Sequence, residues 1–86
     1  MKSIEYLDKL AGTYNLDGQI LTITRVRDYI TLDVPGQPTY DLEADSENEF
    51  KLTIASGYSV EFHFKNGEVV ALELHQPNGN FRAEKE

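Results

Sequence analysis

From Gly12 onward the chain alternates apolar and polar residues in steps of two, and turn-forming residues return about every ten positions. That rhythm belongs to a meander of short antiparallel strands. Strands are expected at 12–16, 19–25, 29–34, 39–44, 50–55, 59–65, 68–76 and 80–84, eight of them give or take one. Between them lie Asp17-Gly18, Pro35-Gly36-Gln37-Pro38, Ser56-Gly57, Asn66-Gly67 and Pro77-Asn78-Gly79. Asp17-Gly18 is the strongest local signal, because such a pair accepts the positive φ angles of a two-residue hairpin turn. Proline cannot donate to a ladder, so the Pro-Gly-Gln-Pro stretch ends the third strand.

Alternation assigns an inward face: Leu21 and Ile23; Ile30, Leu32 and Val34; Tyr40 and Leu42; Phe50, Leu52 and Ile54; Val60, Phe62 and Phe64; Val70, Leu72 and Leu74. Before the meander, Ser3 can cap a short helix over 3–10 that places Ile4, Leu7 and Leu10 on one stripe, and Gly12 ends it. Strands with one apolar face each must roll up or be covered. The expected fold is therefore mainly β: one domain over 1–86, with a meander at 12–84 forming a strongly curved sheet or small barrel and the N-terminal helix across its open end. Short strands carrying Phe50, Phe62 and Phe64 favour an interior filled by side chains over a large ligand cavity. Glu84-Lys85-Glu86 reads as a frayed end.

At 86 residues, folding buries only about 60–65% of the surface of the unfolded chain, so the core has to be compact. Fifteen acidic residues against eight basic ones set a net charge of −7. A field of that sign repels phosphate backbones and anionic headgroups, which argues against nucleic acid and membrane partners. The chain has no cysteine, so disulfides, thiolate nucleophiles and thiolate metal sites are excluded together. No apolar run approaches a spanning helix, and no signal peptide is legible. The expected compartment is the cytoplasm if residue 1 is a native start, and outside it if the chain belongs to an exported parent.

Catalytic and metal chemistry find little support in the residue pattern. Asp41, Glu43, Asp45, Glu47 and Glu49 alternate along one edge, but a calcium loop counted from Asp41 would need glycine and glutamate where Ser46 and Leu52 stand. Period-two acids opposite Leu42 and Ala44 read as a solvated strand face. In the hairpin turning at Asn66-Gly67, His63 should face Val69 or Ala71 and His75 should face Gly57 or Ser59. The two histidines would then lie roughly 13–20 Å apart along the ladder, too far to share one metal ion, as exposed surface groups. No Gly-x-Ser-x-Gly elbow, Ser-x-x-Lys pair or phosphate-binding glycine loop occurs. The expectation is no catalytic residue, no cofactor and no metal ligand.

Three stretches carry a resemblance: Leu10-Ala11-Gly12-Thr13-Tyr14 with Leu21-Thr22-Ile23-Thr24; Leu32-Asp33-Val34-Pro35-Gly36-Gln37-Pro38; and Val60-Glu61-Phe62 through Asn66-Gly67-Glu68-Val69 to Leu72-Glu73-Leu74-His75-Gln76. In order and spacing they resemble the C-terminal accessory domain of unknown function that follows the catalytic domain in many bacterial beta-lactamase-like serine hydrolases and some other peptidases. The resemblance implies a small lipocalin-like β barrel and a role beside an enzyme, packing on it or bordering its cleft. It brings no catalytic residue, because the Ser-x-x-Lys, Tyr-x-Asn and Lys-Thr-Gly motifs of the hydrolases belong to the other domain and none occurs here.

Two functional classes follow. The preferred one is a non-catalytic accessory or interaction domain, monomeric or weakly oligomeric, whose partner is a serine hydrolase catalytic domain or another protein. Its expected contact surface is the helix end, where Ile4, Tyr6, Leu7 and Leu10 supply more apolar surface than one stripe needs. The alternative is a carrier that holds an apolar or peptide-like small molecule in the barrel mouth near the helix.

Overall fold

The computed structural model describes residues 3–86. Helix α1 (Ile4–Leu10) precedes eight strands: β1 (Gly12–Leu16), β2 (Gln19–Val26), β3 (Tyr29–Asp33), β4 (Tyr40–Ala44), β5 (Glu49–Leu52), β6 (Ser59–Lys65), β7 (Glu68–Gln76) and β8 (Gly79–Lys85). Each strand pairs antiparallel with the next, and β8 returns to β1, so the meander closes into a barrel. Closure leaves no unpaired sheet edge, which answers the requirement that every strand hide one face.

Two hairpin turns show why local sequence and topology agree. Asp17-Gly18 has φ values of 51° and 92°, and Asn66-Gly67 has 55° and 82°. Positive φ at both central positions matches the twist of the flanking strands, and glycine holds the second position without steric penalty. The Asn15 side chain also accepts a hydrogen bond from the Gly18 amide at 2.7 Å.

The helix forms as expected. Ser3 accepts from the Tyr6 amide at 3.1 Å, Glu5 occupies the first turn and Lys9 the last. Each charge suits its end of the helix dipole. Leu7 and Leu10 are fully buried in the core, and an Arg25–Asp8 ion pair ties the outer face of the helix to β2. The helix covers the barrel end that carries the β2–β3, β4–β5 and β6–β7 turns. Beneath it the interior is packed solid: the Phe62 ring meets Phe50 edge-on at 5.6 Å and Tyr14 at 6.1 Å. Tyr14 is wholly buried, and its hydroxyl donates to the Leu10 carbonyl at the end of the helix.

Most of the expected inward face is buried, with three departures. Strand β5 stops at Leu52, so Ile54 lies in the β5–β6 loop, 74% exposed. Between β6 and β7 the register shifts after the His63↔Ala71 pair, and Phe64 opposes Val69. The skipped residue, Val70, is a bulge that turns Val69 inward in its place. Phe64 is displaced toward the rim, where its ring stacks on Tyr6 at 5.9 Å. The C-terminal residues are not frayed either: Lys85 and Glu84 pair with Tyr14 and Asn15, and the Glu86 amide donates to the Thr13 carbonyl. They form the seam that closes the barrel.

Candidate functional site

The barrel is asymmetric along its axis. At the helix end Leu7 and Leu10 plug the interior, and of the four residues expected there as a contact surface, only Ile4 is exposed and Tyr6 is half-buried. Tyr6 is itself engaged, donating its hydroxyl to the Glu47 carbonyl at 2.9 Å. Beside the helix lies a shallow cleft of about 630 Å³ where Leu7, Tyr29 and Phe50 meet Asp28, Asp41 and Glu43. Those carboxylates make it a poor entrance for an apolar ligand.

The opposite end, bounded by the β1–β2, β3–β4, β5–β6 and β7–β8 connections, is uncovered among the described residues. It opens into a cavity of about 510 Å³, within the usual range of small-ligand sites. Leu21, Leu32 and Leu74 form its inner wall, and Leu16, Val34 and Leu52 continue that apolar surface toward the rim. Gln19, Gln37, Tyr40, Tyr58 and Gln76 bring polar groups to the same mouth, where the Tyr40 hydroxyl donates to Gln37 Oε1 at 3.0 Å. The carrier reading expects a mouth near the helix; the cleft there is the larger, but the more enclosed cavity lies at the far end. Strand alternation identified the leucines, but could not say which half of the barrel they leave unfilled.

Two exposed large apolar residues, Tyr58 and Phe81, line this opening, and two more are exposed toward the same end of the barrel. Ile20 adjoins the β1–β2 turn, Ile54 and Tyr58 lie in the β5–β6 loop, and Phe81 follows the β7–β8 turn; all four are exposed. Strand alternation places Ile54 inside, and the early end of β5 is what brings it to the surface.

On the outer wall, the histidines face Ala71 and Ser59 across the β6–β7 ladder, as the hairpin register requires. Sequence reasoning treated them as a pair and overlooked the glutamates between them. Glu61 and Glu73 stand directly opposite each other. His63 Nε2 lies 3.1 Å from Glu73 Oε1, His75 Nε2 lies 3.0 Å from Glu61 Oε1, and His75 Nδ1 meets Asn80 Oδ1 at 2.9 Å. The histidines are thus half-buried members of a four-residue array and not free surface groups. The pKa of His75 is raised, first by its hydrogen bond to Asn80 and then by that to Glu61. The acids from Asp41 to Glu47 are exposed, in keeping with a solvated strand face, while Glu49 is half-buried and accepts from the Ser59 hydroxyl.

No protein-family model matches the chain, and no curated protein matches it. Among the described residues no helix is long and apolar enough to cross a membrane.

Proposed function

We propose that the protein is a non-catalytic binding domain, of the accessory kind its sequence resembles in serine hydrolases, and that it binds an apolar or peptide-like ligand at the uncovered mouth of its barrel. The observation that carries this reading is the coincidence, at one end, of a cavity with an inner wall of Leu21, Leu32 and Leu74 and exposed apolar residues around its opening. An apolar wall supplies affinity by burial, and a few polar groups at the rim orient what enters. The same end can instead receive an apolar segment from an attached or separate catalytic domain, because contiguous exposed apolar surface also serves protein contacts. Catalysis has no support in the hydrogen bonds of the described residues: both histidines are engaged by glutamates, and Ser59, which faces His75 across the ladder, donates its hydroxyl to Glu49 instead.

Titration of the isotope-labelled protein with short apolar peptides and with a medium-chain aliphatic alcohol tests this reading by amide shift mapping. Saturable shifts at Leu16, Leu32, Leu52 and Phe81 are expected, and Leu52→Trp, which fills the mouth, should abolish them. Shifts confined to the helix end, or none with any probe, would refute the assignment. The same protein should leave ester, amide and β-lactam substrates unhydrolysed.

A further inference from the structure

The geometry points to a divalent transition-metal site, of a kind suited to zinc, on the outer wall of the barrel at Glu61, His63 and Glu73. One ligand atom from each of these side chains lies within 4.8 Å of the other two. Zinc bonds of about 2.0–2.2 Å to nitrogen and oxygen set ligand atoms about 3.4 Å apart in a tetrahedron. The His63 Nε2 to Glu73 Oε1 separation of 3.1 Å is already close to one edge of that figure. Glu61 would complete the third corner by a swing of its carboxylate on the order of an ångström, leaving the fourth position to water.

The charge pattern supplies a separate reason. Like charges directly opposite on paired strands are destabilising, yet Glu61 and Glu73 are placed so in the middle of the β6–β7 ladder. Among the described residues Glu61 and Glu73 form ion pairs only with imidazoles, and Arg82, opposite Glu73 on β8, is paired with Glu84. A bound dication would compensate both carboxylates at once. Nitrogen among the ligands selects zinc and its first-row neighbours over calcium and magnesium, which prefer all-oxygen sites.

The surrounding residues fit the same chemistry. Side-chain exposures of 31% for His63, 26% for Glu73 and 34% for Glu61 leave the atoms reachable from solvent while the two strands hold them. His75 would act on Glu61 as an outer positioning residue: its Nε2 bonds that carboxylate while its Nδ1 is fixed by Asn80. His63 would ligate through Nε2 as the neutral imidazole, its single ring proton on Nδ1.

Isothermal titration of the full chain with zinc chloride, followed by amide shift mapping, tests the site. Saturable one-to-one binding is expected, with shifts centred on Glu61, His63 and Glu73, and none with calcium or magnesium. His63→Ala and Glu73→Gln should each weaken binding at least about tenfold, and His75→Ala by about tenfold through Glu61. These side chains lie on the outer face, so the variants should keep the wild-type circular dichroism spectrum. Asp41→Asn, remote from the site, should bind as wild type does. Failure to saturate, equal affinity in His63→Ala, or equal binding of calcium would each overturn the assignment.

Discussion

Removing one oxygen atom from the core, by Tyr14→Phe, tests how the helix is joined to the barrel. The Tyr14 hydroxyl donates to the Leu10 carbonyl at 2.5 Å, in a position sealed from solvent. Leu10 is the last residue of α1, and the final carbonyls of a helix have no partner within it. Phenylalanine keeps the ring and its edge contact with Phe62 but leaves that carbonyl unsatisfied, at a cost of about 1–3 kcal/mol. For a domain of this size each kcal/mol lowers the melting temperature by about 4–8 °C. The pH dependence supplies a second arm. Burial raises the Tyr14 pKa, so the folded protein retains a proton that the unfolded chain releases near pH 10. This stabilisation is complete below pH 10 and is lost as pH rises above it. The variant lacks the group, so the wild-type advantage should shrink by about 1.4 kcal/mol per pH unit above 10. Urea unfolding of both proteins at pH 7, 9, 10 and 11 measures both quantities. A variant within about 0.5 kcal/mol of wild type at pH 7 would show that the hydroxyl does not make this bond, and a gap that stays constant to pH 11 would show that it is not buried.

Phe62→Ala should cost about 3–5 kcal/mol in denaturant unfolding, while His63→Ala, one residue away on the outer face, should change stability by about 0.5 kcal/mol or less in metal-free buffer. The bulge predicts an inversion at adjacent valines: Val69→Ala removes two buried methyl groups, worth about 1.6 kcal/mol, and Val70→Ala should cost less than half of that. Leu7→Ala should destabilise by about 2–5 kcal/mol, as measured by the shift in thermal midpoint, because that side chain seals the core beneath the helix.

The barrel was legible in the sequence because its signals are local and repeated. Alternation at Leu21-Ile23, Ile30-Leu32 and Val60-Phe62 places each face, and Asp17-Gly18 and Asn66-Gly67 fix two hairpins almost unaided. Alternation failed where pairing partners decide the outcome. Nothing in Phe64 or Val70 announces a bulge, since both extend an unbroken alternating run. Likewise Ile54 continues the inward series of Phe50 and Leu52, but the backbone leaves the ladder after Leu52. Of the stripe of Ile4, Leu7 and Leu10 that helical spacing predicts, Leu7 and Leu10 are buried and Ile4 is exposed, and sequence could not tell that the barrel's own end would take up the two leucines. The open mouth is a property of how much volume eight inward faces jointly fail to fill. The Glu61–Glu73 opposition depends on the register of two strands, which no residue pattern within either strand displays.

The seam between β1 and β8 holds two register pairs, Tyr14↔Lys85 and Asn15↔Glu84, against seven in the β6–β7 ladder. A bond from the Asn15 amide to Glu86 and the Glu86–Thr13 backbone bond reinforce it. A cylinder closed by so short a junction is a ribbon with complementary ends. When it parts, both ends are bared at once, and each matches the other in any copy of the molecule as well as in its own. Two ribbons parted together can therefore close reciprocally, β8 of one against β1 of the other, and the exchanged pair leaves no edge to recruit a third.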